Sequence, residues 1–94
     1  MRHYLYNTII NKTINLNLVR NLPTVACLLE HRDDVYVHEG ELYLRLRRGV
    51  FNGGQLIAIC RELTGDLDSF RVYTYEYELV LTIKLDDLLP VYFL

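Results

Sequence analysis

Residues 47–65, RRGVFNGGQLIAICRELTG, carry the clearest structural pattern in the chain. Four apolar residues recur at the i, i+3, i+4 and i+7 spacing that makes one face of an α-helix: Leu56, Ile59, Cys60 and Leu63. Asn52 suits the N-cap, and Gln55, three residues later, can complete a capping box with it. Gly65 suits the position after the last helical residue, where glycine readily adopts the left-handed conformation. Because these patterns agree, they predict one amphipathic helix that packs against a sheet.

An alternating stretch precedes this helix. Residues at every second position share one side of an extended chain, so the stretch has an apolar side and a polar or aromatic side: Leu42, Leu44 and Leu46 against Tyr43, Arg45 and Arg47. Residues 35–38 form a second alternating run, and Gly40 lies in the segment HEGE between the two. The pattern predicts a β-hairpin with one buried side.

Residues 70–85, FRVYTYEYELVLTIKL, are strand-like throughout, yet sixteen residues exceed the usual length of a strand. We therefore predict two strands joined by a tight turn within residues 75–78. The apolar tail, residues 88–94, contains Pro90, which would interrupt a central ladder of hydrogen bonds. The tail is interpreted as a short edge strand or as part of an interface.

The N-terminal third gives weaker patterns. Residues 3–10 and 24–29 are each interpreted as a strand, while residues 11–21 fit a loop, a short strand or one helical turn that ends before Pro23. Together the elements predict an α+β fold with a single domain over residues 1–94. Its architecture is a small mixed sheet with one main amphipathic helix packed on one face.

Composition and charge limit the partners of such a domain. Among the 94 residues, 51% are apolar, which is more than so small a body buries easily on its own. Part of this apolar surface is expected in an interface, most simply that of a homodimer. The net charge is −2, divided as +2 over residues 1–50 and −4 over residues 51–94. This balance is too weakly basic for general binding of duplex DNA.

The location and cofactor needs follow from a few residue types. Cys27 and Cys60 lie in apolar runs, which favours reduced core residues in a cytoplasmic protein. No window approaches eighteen consecutive apolar residues, and the first residues lack the apolar stretch of a signal peptide, so no membrane association is predicted. The three histidines, His3, His31 and His38, lack zinc-site spacing, and neither a metal nor another cofactor is predicted.

The most suggestive group of residues lies where the predicted hairpin leads into the helix. Three arginines at a strand end precede two glycines that open the helix: Arg45, Arg47, Arg48, then Asn52, Gly53 and Gly54. The first N–H groups of a helix have no partner within it and form the positive end of its dipole, so they can bind phosphate. An arginine nearby could add a bidentate contact. The alternative is that Asn52 only caps the helix, the glycines relieve crowding and the arginines are solvated.

Alternating tyrosines form a second suggestive pattern. Tyr73, Tyr75 and Tyr77 recur at strand spacing, and aromatic side chains on a sheet can stack against nucleobases. Tyrosines are also ordinary residues of strands and interfaces, and the same holds for Tyr36 and Tyr43. The sequence alone favours the ordinary interpretation.

The order of features resembles the type III anti-CRISPR ring nucleases of archaeal viruses and phages, which bind and cleave cyclic tetra-adenylate. The similarity spans residues 3–85. It is carried by residues 4–8 (YLYNT), residues 18–24 (LVRNLPT), the strand, turn and helix that end at Thr64 and Gly65, and residues 70–72 (FRV). The resemblance implies a viral homodimer in the host cell cytoplasm, with the ring lying across the two-fold axis. Each subunit would contribute Asn52, Gly53, Gly54 and one or more arginines.

The chain departs from the family at the residue tied to catalysis. Family members have Gly-His before the helix, whereas the matching positions here read Asn52, Gly53 and Gly54, with Gly53 in place of the histidine. Glycine has no proton to donate to a leaving ribose oxygen. The sequence also lacks the segment that the family carries before its C-terminal strand. The resemblance therefore implies a cyclic oligoadenylate-binding protein without efficient cleavage.

Two other functions compete with this one. The first is a viral protein-interaction or structural protein with the same fold and no small-molecule ligand. The second is an active nuclease that uses a relocated residue such as His38.

Overall fold

The structure is a computed structural model that describes residues 13–22, 25 and 35–94. The predicted strand over residues 3–10 lies outside these ranges. Of the predicted strand over residues 24–29, only Val25 is described, and it is helical and buried, so the prediction is wrong at that residue. A short apolar run fits a buried helix as well as a buried strand, which is why its pattern alone could not decide.

The predicted hairpin is confirmed. Strand β1, Val35–His38, pairs with strand β2, Glu41–Arg47, in antiparallel register. Glu39 and Gly40 form the turn, with φ of 48° and 77°. A two-residue turn with positive φ at both positions matches the right-handed twist of the strands that it joins.

The predicted helix is also confirmed, with both of its ends. Helix α2, Gly53–Thr64, follows the short helix α1, Leu16–Arg20, and has Asn52 as its N-cap with a complete capping box. Gly65 ends it at φ 72°, in the left-handed region. A Cβ atom at Gly65 would lie 2.9 Å from Leu89 Cδ2, so this glycine also allows the C-terminal tail to approach closely.

The second half of the sheet matches the prediction of two strands with a tight turn. Strand β3, Arg71–Thr74, and strand β4, Glu78–Lys84, pair antiparallel, and the sheet order is β1-β2-β4-β3. Strands β2 and β3 both run antiparallel to β4, so β2 and β3 are parallel to each other. The connection from β2 to β3 contains α2 and crosses over β4. This split β-α-β arrangement places the start of α2, the end of β2 and the β3–β4 turn at one end of the sheet.

The sheet has one side against the core and one side away from it. Register pairs the leucines of β2 with apolar residues of β4: Leu42 with Ile83, Leu44 with Leu81 and Leu46 with Leu79. These residues pack with the apolar stripe of α2 in one cluster. Burying a leucine or isoleucine side chain fully contributes about 1.5–3 kcal/mol to the free energy of folding, so this cluster is the main source of the stability of the fold.

The C-terminal tail packs against this core without forming a strand. It consists of the 3₁₀ turns Leu85–Asp87 and Pro90–Tyr92, and only Phe93 forms a β-bridge, to Ile14. Pro90 begins the second turn, where its fixed φ and missing N–H are tolerated. Of the two alternatives for residues 88–94, the edge strand is therefore wrong, because these residues contain one 3₁₀ turn and one bridge. None of the described helices is long and apolar enough to cross a membrane.

Candidate functional site

The predicted phosphate site begins at what we call the glycine corner: Asn52, Gly53 and Gly54. The Asn52 Oδ1 accepts the N–H of Gln55 at 2.9 Å, and the Gln55 Oε1 accepts the N–H of Asn52 at 2.9 Å. All three corner residues are exposed. A Cβ atom at Gly53 would meet nothing within 4 Å, so the backbone at the first helical position faces open space. The capping box therefore occupies the N–H of Gln55 and leaves the surface of the corner accessible.

The three predicted arginines do not converge on this corner. Arg45 lies on the side of the sheet away from α2, where its Nη2 donates to both carboxylate oxygens of Glu78, at 2.7 and 2.9 Å. Arg47 shares that side of β2. Arg48 lies in the turn that leads to the corner, and its Nη1 donates to the carbonyl oxygen of Tyr75 at 3.5 Å. Of the three, Arg48 is the nearest to the corner along the chain.

A second candidate site lies on the side of the sheet away from α2. We call it the tyrosine face, after the four rings that it gathers from three strands and a turn: Tyr36, Tyr43, Tyr73 and Tyr75. They surround an open depression of about 390 Å³, which Arg45, Glu78 and Val80 complete. Within the described ranges, both helices contribute their buried residues to the cluster on the opposite side.

The rings on the hairpin are ordered by contacts with one another. Tyr36 and Tyr43 stack with their centroids 5.0 Å apart and their planes 11° from parallel. The Tyr43 hydroxyl donates to Glu41 Oε2 at 3.4 Å. Removal from water and the neighbouring Glu41 carboxylate raise the pKa of Tyr43, so this hydroxyl stays protonated at neutral pH.

Two buried β4 side chains on this side of the sheet do not belong to the main core: Val80, which lines the depression, and Thr82, two residues further along the strand. Val80 lies opposite Arg45 and Tyr73 in register, and Thr82 lies opposite Tyr43. Both are buried, with 7% and 1% of their surface exposed. The Thr82 hydroxyl has no hydrogen-bond partner in the structure. A buried hydroxyl without a partner is uncommon, because it loses its bonds to water without replacement.

Within residues 13–22, 25 and 35–94, the remaining titratable residues form no assembled catalytic group. His38 is the residue considered for a relocated nuclease site. Its exposed side chain places Nε2 3.7 Å from Glu39 Oε1, and its ring meets the Tyr43 ring in an edge-to-face arrangement. In the described part of the chain, no three His, Cys, Asp or Glu residues are placed to hold a metal ion. Cys60 is buried with a free thiol, as predicted, and burial raises its pKa; Cys27 lies outside the described residues.

Sequence reasoning grouped the residues of the glycine corner but, for the tyrosines, favoured the ordinary interpretation as strand and interface residues. The corner consists of neighbours in sequence, whereas the rings of the face come from residues far apart in the chain. The available signal was the tyrosine alternation in two separate strand pairs, and only the strand order shows that these rings share one depression.

The chain matches no protein-family model, no curated protein and no solved structure. The class that its geometry defines is a small α+β domain with one capped helix and an aromatic sheet surface. The resemblance to the ring nucleases stays a prediction.

Proposed function

We propose that the protein binds an anionic nucleotide, in the first instance a cyclic oligoadenylate, and does not cleave it efficiently. The observation that carries the proposal is the exposed backbone at Gly53, where an added Cβ would meet nothing within 4 Å. The corner opens a helix of twelve residues, long enough for its dipole to favour a phosphate at this end.

The position of Gly53 also supports binding without efficient cleavage. It stands where the resembling family has its catalytic histidine, and it has no side chain that could protonate a leaving oxygen. His38, the other residue considered for that role, lies on β1, whereas the corner follows β2. A protein of this kind would sequester the ligand. In the proposed assembly, two subunits place their glycine corners around one ring across a two-fold axis.

Removal of a single N–H group tests the corner directly. Gly53 is the first helical residue, where proline is tolerated, and Asn52 has the extended conformation, φ −97° and ψ 171°, that a following proline requires. Gly53→Pro should therefore fold normally while removing one donor. Gly53→Ala keeps that N–H and is the matched control.

Calorimetric titration with cyclic tetra-adenylate is the measurement. Loss of one hydrogen bond to a charged group is worth about 1.5–3 kcal/mol, so Gly53→Pro should weaken binding by roughly tenfold or more while Gly53→Ala stays close to the wild type. Arg48→Ala should also weaken binding, whereas Arg61→Ala, at the far end of α2, should not. Equal affinity of the proline and alanine variants would contradict the assignment of the corner.

The competing function is a protein-interaction module without a small-molecule ligand. The exposed tyrosines favour it, because tyrosine and arginine are enriched at protein interfaces. Absence of binding heat at high protein concentration would favour this function. Light scattering of the same sample tests the homodimer, which both functions allow.

A further inference from the structure

The tyrosine face offers a binding surface that the proposed phosphate site does not use. We infer that it binds the unpaired nucleobases of a short single-stranded oligonucleotide, cyclic or linear. This inference rests on the proposed function, because it presumes a nucleotide ligand, and it deepens that function by assigning the bases to a surface apart from the glycine corner.

The spacing of the rings suits an inserted base. Tyr43 on β2 lies opposite Thr82 of β4, whereas Tyr73 on β3 lies opposite Val80, so their backbones are offset by two residues along β4 and stand about 12 Å apart, with the midpoint about 6 Å from each. Stacked aromatic rings have centroids about 4.5–7 Å apart. A planar base above β4 would thus lie within stacking distance of a ring on either side.

The floor and the volume of the depression leave room for that base. The side chains between the two groups of rings, Val80 and Thr82, are small and buried. The volume of about 390 Å³ falls within the range of small-ligand sites, about 300–1,000 Å³. The unpartnered Thr82 hydroxyl adds a polar atom next to this floor.

The charge of the surface favours a polyanion. The strands present four cations on this side, Arg45, Arg47, Arg71 and Lys84, against two carboxylates, Glu41 and Glu78. Of these six charged residues, only Arg45 and Glu78 line the depression; the other four surround it, and two further carboxylates, Glu39 and Glu76, belong to the turns at the two ends of the sheet. The strands on this side are therefore net positive in a protein whose total charge is −2. Phosphates that link stacked bases would meet cations along the rim of the depression.

A protein partner fits this surface less well. Arg45 and Glu78 form an ion pair in the depression whose side chains are 44% and 36% exposed. An apolar protein interface would remove both charges from water, and this desolvation often exceeds the gain from their attraction. A nucleotide leaves them partly hydrated and offers a phosphate to the arginine. A second copy of the chain is therefore treated as the competing occupant.

The test is fluorescence anisotropy with a labelled linear tetra-adenylate, together with calorimetry using the cyclic form. Tyr73→Leu and Tyr75→Leu remove rings from the depression while keeping apolar side chains. Tyr77→Leu is the matched control, because Tyr77 is 80% exposed in the same β-hairpin and does not line the depression. Tyr73→Phe retains the ring and should retain binding.

The expected result is a loss of about 5- to 150-fold in affinity for each depression variant, the range for one stacked base, and no change for Tyr77→Leu. If only the cyclic form shows the loss, the bases belong to a ring; if both forms show it, the face accepts any short single strand. Equal affinities of Tyr73→Leu and Tyr77→Leu overturn the inference. So does a wild-type dimer that Tyr75→Leu separates in light scattering, because a second copy would then occupy the face.

Two simpler ligands distinguish a failure of this inference from a failure of the proposed function. Adenosine offers a base alone, and inorganic pyrophosphate offers anionic charge alone. In NMR titrations of the ¹⁵N-labelled protein, adenosine should shift the amides of β3 and β4 around the depression, and pyrophosphate those of the glycine corner. A response to pyrophosphate without a response to adenosine supports phosphate binding at the glycine corner and contradicts base binding at the tyrosine face. A response to adenosine without a response to pyrophosphate contradicts only phosphate binding at the glycine corner.

Discussion

The glycine corner and the tyrosine face differ in how much of the chain determines their geometry. In the corner, Asn52 and Gln55 bond to each other's backbone, so four successive residues fix the start of α2. The tyrosine face needs the register of three strand pairs before its rings meet. A capping motif can therefore be identified from sequence, whereas a surface that crosses a sheet requires the fold.

The tyrosine face also differs from the C-terminal end of α2 in how completely a buried threonine hydroxyl is bonded. At the C-terminal end of α2, the single O–H of Thr64 has two acceptors within reach, the carbonyl oxygens of Cys60 at 2.8 Å and of Leu67 at 3.1 Å. Under the tyrosine face, the Thr82 hydroxyl has no partner. Buried polar groups are normally satisfied, so this hydroxyl is an unfavourable group next to the region that we assign to ligand binding.

The largest effect is expected from a charge on the buried stripe of α2. Leu63 has no exposed surface, so Leu63→Asp would place a carboxylate in the core and should unfold the domain. The loss should reach about 4 kcal/mol or more, a large part of the 5–15 kcal/mol typical of domains. Circular dichroism with urea titration measures it. Ile57→Asp, on a helix position that is 36% exposed, is the control; if both variants remain folded, the assignment of the buried face is wrong.

The two ends of α2 should respond in opposite ways to the same substitution. Gly65→Ala forces alanine to φ 72° and brings its Cβ against Leu89, so it should destabilise the fold by about 1–2 kcal/mol. Gly53→Ala meets open space and should stabilise it by about 0.5–1 kcal/mol, because alanine restricts the unfolded chain. Urea midpoints compare the two variants. A loss of stability in both would show that Gly53 is also held by contacts.

The sequence predicted those parts of the fold in which pattern and local chemistry agree. Residues Gly53–Thr64 have the apolar stripe, the N-cap and the C-terminal glycine together, and all three are found. The turn within residues 75–78 was placed by strand length alone, since no glycine, asparagine or proline marks it, and it is confirmed. Val25 and the tail could not be assigned in this way. An apolar run has no period that separates a helix from a strand, and Pro90 suits a tight turn as well as a strand edge.

The candidate site residues show the same difference between what sequence adjacency predicts and what the fold determines. Asn52, Gly53 and Gly54 were grouped by adjacency, and the structure keeps them together at an exposed corner. Arg45 was grouped with them for the same reason, but strand alternation places it on the other side of the sheet, paired with Glu78. Adjacency predicts proximity along a turn, whereas in a strand successive side chains point to opposite sides.

Replacing Thr82 or Thr64 by valine should change the stability of the fold in opposite directions if only the Thr64 hydroxyl is hydrogen-bonded. Thr82→Val replaces the unpartnered hydroxyl with a methyl group of similar size and should stabilise the fold by about 1 kcal/mol. Thr64→Val removes the O–H that the carbonyl oxygens of Cys60 and Leu67 accept and should destabilise the fold by a similar amount, about 1 kcal/mol. Thermal unfolding of the two variants beside the wild type measures both. Destabilisation by Thr82→Val would mean that this hydroxyl is satisfied in solution, and the contrast between the two regions would fail.

The smallest change in stability, and the most specific test of the tyrosine face, is expected from Glu78→Gln. The ion pair of Glu78 with Arg45 is partly exposed, so its removal should alter stability by only about 0.2–1 kcal/mol. The same change removes one negative charge from the depression beside Arg45, which makes the depression less repulsive to a phosphate. Binding of linear tetra-adenylate should therefore tighten and depend more steeply on salt concentration. Glu62→Gln alters the charge equally on the exposed surface of α2, and its affinity should stay near that of the wild type. If both glutamine variants tighten binding equally, only the total charge matters, and the depression has no special role in attracting the nucleotide.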